Sequence, residues 1–293
     1  MQWKLKEKVA KVKGVHPEQL FFGNGSDEPI DLVIRIFCEP RVDNIVAIDP
    51  TYGMYQVCAD INDVEYRKVL LNEDYTLDAQ RVLDRADEHT KLIFLCSPNN
   101  PTGNLLNKKE VVKILTSFAG IVVLDEAYID FAARETWIND LDKYPNLIIL
   151  QTFSKAWGLA AVRLGMAFAS PDIIKLFNKV KYPYNVNQLT QEFVNGEIDE
   201  NERKNEWVQT ILNGRKYLEQ EFPKFPYVKQ LYPSDANFVL VRVDDANKVY
   251  NELVTKGVII RNRNSVSLCG GCVRITVGTE GENKSLLEAM KNL

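Results

Sequence analysis

Lys155 stands in the segment Thr152-Phe153-Ser154-Lys155-Ala156-Trp157-Gly158, between apolar runs, and Arg163-Leu164-Gly165 begins eight residues after it. Lysine is rarely buried unless it pairs or reacts. Desolvation lowers its pKa and leaves a nucleophilic amine. Asp125-Glu126-Ala127-Tyr128 follows Ile121-Val122-Val123-Leu124, so a carboxylate lies where a buried strand emerges. Taken alone, that carboxylate reads better as a helix cap. Ser97-Pro98-Asn99-Asn100-Pro101-Thr102-Gly103 follows another apolar run. Its two prolines and its glycine force an irregular loop that can aim an Asn side chain. Gly23-Asn24-Gly25-Ser26-Asp27-Glu28-Pro29 leads glycines into a helix start, where free backbone N–H groups suit a phosphate. By itself it is an ordinary glycine turn. It is not a dinucleotide fingerprint, because Glu28 takes the place of a third glycine.

Scarcities narrow the chemistry. The only histidines are His16 and His89, both in polar surroundings. A Ser-His-Asp triad or a multi-histidine metal site has little to work with, and no metal is expected. The five cysteines, an odd number in a chain of 293 residues, read as reduced and cytoplasmic. An electrophile must come from outside the twenty side chains. The net charge of −4 argues against a chain built to bind nucleic acid or anionic lipid. No run approaches the length of a membrane span, and the N-terminus has no apolar secretory core.

The elements that must position these residues follow from the pattern. Strands are expected at Asn44–Ile48, Lys91–Cys96, Ile121–Asp125, Leu147–Thr152 and Gly165–Ala169, rich in Val, Ile, Leu and Phe without strict alternation. Strands buried on both faces read that way. Helices are expected at 3–13, 29–38, 52–61, 78–86, 107–117 and 171–179. The alternation predicts an α/β fold, a mostly parallel central sheet flanked by helices. Farther on, a long polar helix over about 198–221 precedes strands Tyr227–Leu231, Asn237–Val243, Val258–Arg261 and Val273–Val277. Helices near 245–256 and 282–292 complete a smaller α+β unit. Leu286, Met290 and Leu293 share one apolar face of the last helix. The division expected is 1–197 for a large domain and 198–293 for a small C-terminal one.

Together, the amine, the carboxylate, the hydroxyl and amide donors and the phosphate cradle are what a pyridoxal phosphate site needs. The residues Gly23–Glu28, Pro50-Thr51-Tyr52-Gly53-Met54-Tyr55, Ser97–Gly103, Asp125–Tyr128, Ser154-Lys155 with Arg163, and Arg274-Ile275-Thr276-Val277-Gly278-Thr279 resemble the histidinol-phosphate aminotransferases. These are fold-type-I pyridoxal phosphate enzymes, and the resemblance runs the length of the chain in the right order.

The resemblance implies roles. Lys155 is the Schiff-base lysine and then the proton carrier. Asp125 pairs with the pyridine nitrogen and keeps it protonated. Asn100 and Tyr128 hydrogen-bond the phenolic oxygen, and Tyr52 stacks on the ring. Backbone at Ser26 and Asp27, with Thr152, Ser154 and Arg163, holds the phosphate. Arg274 grips the substrate anion, Arg261 is the second arginine thirteen residues earlier, and Asn185 lines the pocket. Arg263 alternates to the face of Arg261 but has no implied role and reads as a solvated charge.

The implied reaction moves an amino group from L-histidinol phosphate to 2-oxoglutarate. It yields imidazole-acetol phosphate and L-glutamate, in histidine biosynthesis. The implied partners are these small molecules and a second copy in a homodimer, with no nucleic acid and no membrane. The family also has a segment ahead of the large domain's first helix that covers the active site. The expectation is that this N-terminal small-domain segment is absent from these residues. Three alternatives stay open. One is an aromatic aminotransferase, one a threonine-phosphate decarboxylase, and one a truncated, non-catalytic cofactor-binding protein. Cys269-Gly270-Gly271-Cys272 reads as a structural turn, since there is no second pair.

Overall fold

The computed structural model describes residues 2–291 and Leu293. Seven strands form the large sheet: β1 (Leu20–Asn24), β2 (Asn44–Asp49), β3 (Glu65–Leu70), β4 (Thr90–Cys96), β5 (Ile121–Asp125), β6 (Leu147–Thr152) and β7 (Leu164–Phe168). Their spatial order is β1-β7-β6-β5-β4-β2-β3. β3, β2, β4, β5 and β6 run parallel, and β7 is antiparallel to both neighbours.

The apolar runs form a sheet covered on both sides because successive side chains leave by opposite faces. Ile93, Leu95, Val122, Leu124 and Ile149 enter one core with residues of helices Ala79–Arg85 and Lys108–Ser117. Leu92, Phe94, Val123, Ile148 and Leu150 enter another, with helices Asp27–Phe37, Met54–Ile61 and Pro171–Val180. Every residue of β6 is buried.

The second sheet holds β8 (Val228–Leu231), β9 (Phe238–Val243), β10 (Arg261–Asn262) and β11 (Cys272–Thr276), all antiparallel, in the order β10-β11-β9-β8. Val239, Val241, Val273, Ile275 and Val277 pack under helices Ala246–Thr255 and Glu280–Met290. The other face turns to the large sheet, where Leu240, Cys269 and Cys272 join its core. Asp235 ties the two units directly: its N–H donates to Gly103 O, and its carboxylate accepts from Leu105 N.

Several elements depart from the sequence pattern. β1 escapes it because Leu20-Phe21-Phe22 is a short run before glycine. β3 escapes because it is an edge strand, paired only with β2, and its outer residues are polar. The strand expected at Val258–Arg261 shrinks to Arg261–Asn262. Gly257 turns at φ +77°, and Val258 N–H caps Leu253 O of the preceding helix instead of pairing in a sheet. Glu197–Asn205 interrupts the pattern only briefly. Helix Gln188–Glu197, capped by the Asn187 side chain on Thr190 N, is followed by helix Asn201–Glu221. The last helix starts two residues early, on a reciprocal Thr279–Glu282 cap, and ends at Met290, so Leu293 packs from beyond it.

Candidate active site

The parallel strands end along one edge, where an open α/β sheet leaves a crevice for ligands. β4 delivers the Ser97–Gly103 loop there, β5 delivers Asp125, and β6 delivers Thr152 and the turn bearing Lys155. Ser26, Asp27, Tyr52, Asn100, Asp125, Tyr128, Thr152, Ser154, Lys155 and Arg163 all line a single cleft.

Each wall has a local cause. Phe153 is fully buried and packs on Trp157, so the chain turns between them and Lys155 faces the cleft. Gly158 N–H closes the turn on Lys155 O. The lysine amine lies 5.2 Å over the Tyr128 ring. Burial, then repulsion from Arg274, lowers its pKa, while Asp125 and Asp27 pull the other way. The Thr152 hydroxyl accepts from Ser154 N–H at 3.1 Å.

Asp125 is buried. Its carboxylate accepts from Tyr55 Oη at 2.6 Å and from Ala127 N at 3.0 Å. Burial raises its pKa, and these two donors resist the rise. Tyr55 is itself fully buried, stacked on Phe94 at 4.8 Å. Its position three residues after Tyr52 was visible in the sequence, but its bond to Asp125 was not. The neighbouring Glu126 points away, accepting from Gln151 Nε2, Trp137 N and the Thr136 hydroxyl, and anchors the turn that carries Tyr128.

Asn99 and Asn100 divide the work of their loop. Asn99 is internal, donating to Pro50 O at 2.9 Å and to Thr102 Oγ1 at 2.8 Å. Asn100 faces the cleft and accepts from Arg274 Nη1 at 2.6 Å. Arg274 comes from β11 and lies 4.8 Å over the Phe238 ring. Tyr128 packs edge-on against the same ring. Burial pushes the Tyr128 phenol up to about 12, against the pull of Arg274.

At the other end, Gly25 holds φ +69° and lies against the Arg163 guanidinium, where a Cβ would collide with it. Arg163 reaches Asp27 at 3.5 Å, and Tyr52 Oη donates to Asp27 at 3.0 Å. Helix Asp27–Phe37 starts beside them, its first N–H groups free of intrahelical partners.

None of the three expected substrate residues is among those lining the cleft, although Arg274 reaches the lining through its bond to Asn100. Asn185 donates to Phe22 O and Glu28 Oε1 and accepts from Gln2. It is not among the residues lining the cleft, because these bonds hold it behind the glycine turn. Arg261 pairs with Arg274 in register but is exposed at the sheet edge. Arg263, read as a solvated charge, is instead half-buried, with its Nε enclosed and unpartnered among the described residues. The Cys269 and Cys272 thiols are free and buried. Among the described residues no helix is long and apolar enough to cross a membrane.

These residues fit pyridoxal phosphate on their own chemistry. An amine of lowered pKa faces the cleft with a buried carboxylate, and the Arg163 guanidinium lies against Gly25, whose φ of +69° favours glycine. Fold and site thus define a class, the fold-type-I pyridoxal phosphate enzymes.

Comparison with known proteins agrees. Residues 2–290 match the family model described as aminotransferase class I and II. The histidinol-phosphate aminotransferase of Bacteroides fragilis strain YCH46 is 60% identical over 291 residues, covering 99% of this chain and 84% of that protein. The crystal structure of the Clostridium acetobutylicum histidinol-phosphate aminotransferase superposes with TM-score 0.92 at 23% identity, over 99% of this chain and 88% of that one. The Sinorhizobium meliloti histidinol-phosphate aminotransferase, solved in complex with pyridoxal-5'-phosphate, gives 0.90 at 23%, over 99% and 82%. The chain belongs to the class I and II aminotransferases and, within them, to the histidinol-phosphate aminotransferase family.

Proposed function

We propose that this chain is a transaminase. It passes the amino group of L-histidinol phosphate to 2-oxoglutarate, forming imidazole-acetol phosphate and L-glutamate in histidine biosynthesis. One observation carries the reading. A cleft lined by an amine of lowered pKa is bonded at Asn100 to the half-buried cation Arg274, in a chain 60% identical to a histidinol-phosphate aminotransferase.

When bound, pyridoxal phosphate supplies an aldehyde that accepts the amino group and a ring that withdraws electrons. The protein does the rest. Lys155, with its lowered pKa, has more of its amine uncharged than an ordinary lysine, as covalent attachment requires. Once freed, the same amine is the base that moves a proton from the donor's Cα. Asp125 holds a proton on the ring nitrogen, with Tyr55 keeping its second interaction satisfied. Asn100 and Tyr128 orient the ring's oxygen, and Tyr52 covers a ring face. Ser26, Asp27, Thr152, Ser154 and Arg163 hold the phosphate, Asp27 through its backbone N–H. Arg274 takes the donor's anionic end, Arg261 approaches from the sheet edge, and Asn185 braces the turn behind the phosphate site.

The division into 1–197 and 198–293 belongs to the same reading, supported by two sheets with separate helical cores. A homodimer is supported by exposed Tyr182, Tyr184, Leu189 and Phe193, too much apolar surface in one stretch for a solvated face. A cytoplasmic location is supported by five unpaired thiols.

The experiment is a half-reaction with a panel of donors. L-histidinol phosphate should discharge the cofactor's absorbance in a single turnover, and phenylalanine and threonine phosphate should do so far more slowly. Faster conversion by phenylalanine would make it an aromatic aminotransferase. Release of carbon dioxide from threonine phosphate would make it a decarboxylase. Binding without conversion would make it non-catalytic.

A further inference from the structure

β5 ends in Asp125, and Glu126 follows it. Successive side chains leave an extended segment on opposite sides, so the two carboxylates part. Asp125 lines the cleft, and Glu126 is buried behind it. A carboxylate buried there is costly unless donors and a counter-charge meet it. The donors are Thr136, Trp137 and Gln151. The counter-charge comes at one remove: Gln151 Oε1 accepts from Lys13 Nζ at 2.7 Å, while its Nε2 donates to Glu126 at 2.9 Å. Lys13 ends helix Trp3–Lys13, so that helix is bonded to the back of the site.

A second ion pair holds the far end of the same turn. Asp130 lies in the short 3-10 helix Ile129–Phe131, just after Tyr128, and accepts from Lys204 Nζ at 3.0 Å. Lys204 belongs to helix Asn201–Glu221, and the two side chains are only 18% and 13% exposed, so water screens the pair weakly. The Lys204 amine also lies 5.6 Å over the Trp157 ring, in the turn that bears Lys155. Burial lowers the Lys13 pKa; Asp130 and Glu126 oppose the fall, and Lys204 adds to it. The two pairs are thus one cluster of two amines and two carboxylates. Enclosed ion pairs add little stability over apolar packing, and their use is to fix one geometry. The geometry fixed here is that of the Tyr128 turn against the Lys155 turn, where the Lys155 amine lies 5.2 Å over the Tyr128 ring.

We propose that Lys13 and Lys204 are positioning residues for the reaction: from behind the cleft they clamp the turn of residues 125–131, so that Asp125 and Tyr128 meet the cofactor in register with Lys155. This rests on the reading of the site given above and adds two residues to it. Neither amine lines the cleft, so each acts through the turn it holds. Lys13 acts on Glu126 through Gln151, and Lys204 acts on Asp130 directly. Tyr128, in that reading, donates to the cofactor's phenolic oxygen, which favours the form without a proton. A slackened turn weakens this donation and raises the pH at which the proton is lost.

The test is a pH titration of the bound cofactor's visible absorbance, on holoenzyme freed of excess cofactor, with Tyr128→Phe as the reference. The midpoint should rise in Lys204→Met and in Lys13→Met by roughly half a unit, a three-fold change in the proton equilibrium. It should stay near wild type in Lys204→Arg, which keeps the charge. Asp130→Asn should move it as Lys204→Met does, and the double variant no further than either one, because both break the same pair. In Lys204→Met, kcat should fall about ten-fold with little change in KM, since misplaced groups slow the reaction more than they weaken binding. Only folded, loaded protein contributes to the titration, so a destabilised variant loses amplitude without moving its midpoint. A midpoint that moves in Tyr128→Phe but stays at the wild-type value in both Met variants would overturn the clamp and leave the reading of the site intact. A midpoint unmoved in all three, Tyr128→Phe included, would overturn both. Additive shifts in the double variant would overturn the role of the Lys204–Asp130 pair.

Discussion

Arg274 on β11 donates from Nη1 to Asn100 Oδ1 at 2.6 Å, joining the small sheet to the loop that leaves β4. The guanidinium of one unit and the amide of the other therefore hold a shared position at the mouth of the cleft. Replacing Arg274 by Ala removes the charge and frees Asn100. Steady-state kinetics should show kcat/KM falling for both histidinol phosphate and glutamate, on the order of a hundred-fold, because the donor's anion loses a partly desolvated partner. Cofactor affinity should change much less. Unaltered KM values for both donors would remove Arg274 from substrate binding.

Lys155 carries a lowered pKa, with burial the main cause and Arg274 the next. The folded state disfavours the charged amine, so the uncharged fraction grows at lower pH than in an ordinary lysine. Covalent uptake of pyridoxal phosphate by the cofactor-free chain should rise with pH and reach half its maximum below the usual lysine value of 10.5. Absorbance during reconstitution reports this directly. Lys155→Ala should show no covalent uptake at any pH, and turnover by that variant, free of wild-type protein, would end the assignment.

Tyr55 tests the environment of Asp125. Burial raises the carboxyl pKa, and the 2.6 Å bond from Tyr55 lowers it. Tyr55→Phe keeps the ring stacked on Phe94 and removes only the donor. The Asp125 pKa should rise further, moving the acid limb of the kcat profile to higher pH. A hydrogen bond to a charged group contributes about 1.5–3 kcal/mol, so kcat should drop about ten- to a hundred-fold. An acid limb that stays put would mean the bond does not tune the carboxylate.

Gly25 holds φ +69° with the Arg163 guanidinium where a side chain would be. Gly25→Ala adds left-handed backbone strain, about 1 kcal/mol, and displaces the Arg163 guanidinium from its place. Pyridoxal phosphate should bind more weakly in equilibrium titration, while Gly53→Ala, at an open position with negative φ, should bind it as wild type does. Equal affinities in the two variants would argue against the cradle.

Much of the architecture was legible along the chain. β4, β5 and β6 read correctly because strands buried on both faces carry apolar residues throughout, and the helices between them have an apolar side. β1 and β3 were not legible. One is too short before its glycine to signal, and the other is a polar edge. The Lys155, Asp125 and Asn100 motifs were legible because a local turn sets each of them, and the structure gathers them into one cleft.

What separated Arg261 from Arg263 was not local. Both alternate to the same strand face, and the sequence treats them alike except for spacing. Burial and counter-charge distinguish them, and these depend on what packs above the strand. β10 ends at Asn262, so Arg261 lies at the sheet edge in solvent. Arg263 turns in beside Cys272, under the loop of residues 263–272, with no carboxylate to meet it. The sequence by itself determined the class of fold, the cofactor chemistry and the order of the motifs, because each is written in contiguous residues. Only the tertiary structure decided that Tyr55 bonds Asp125, that Asn185 is tied behind the cleft, and which arginines lose their water. Those are contacts between segments distant in the chain, and desolvation has no signature in a linear pattern.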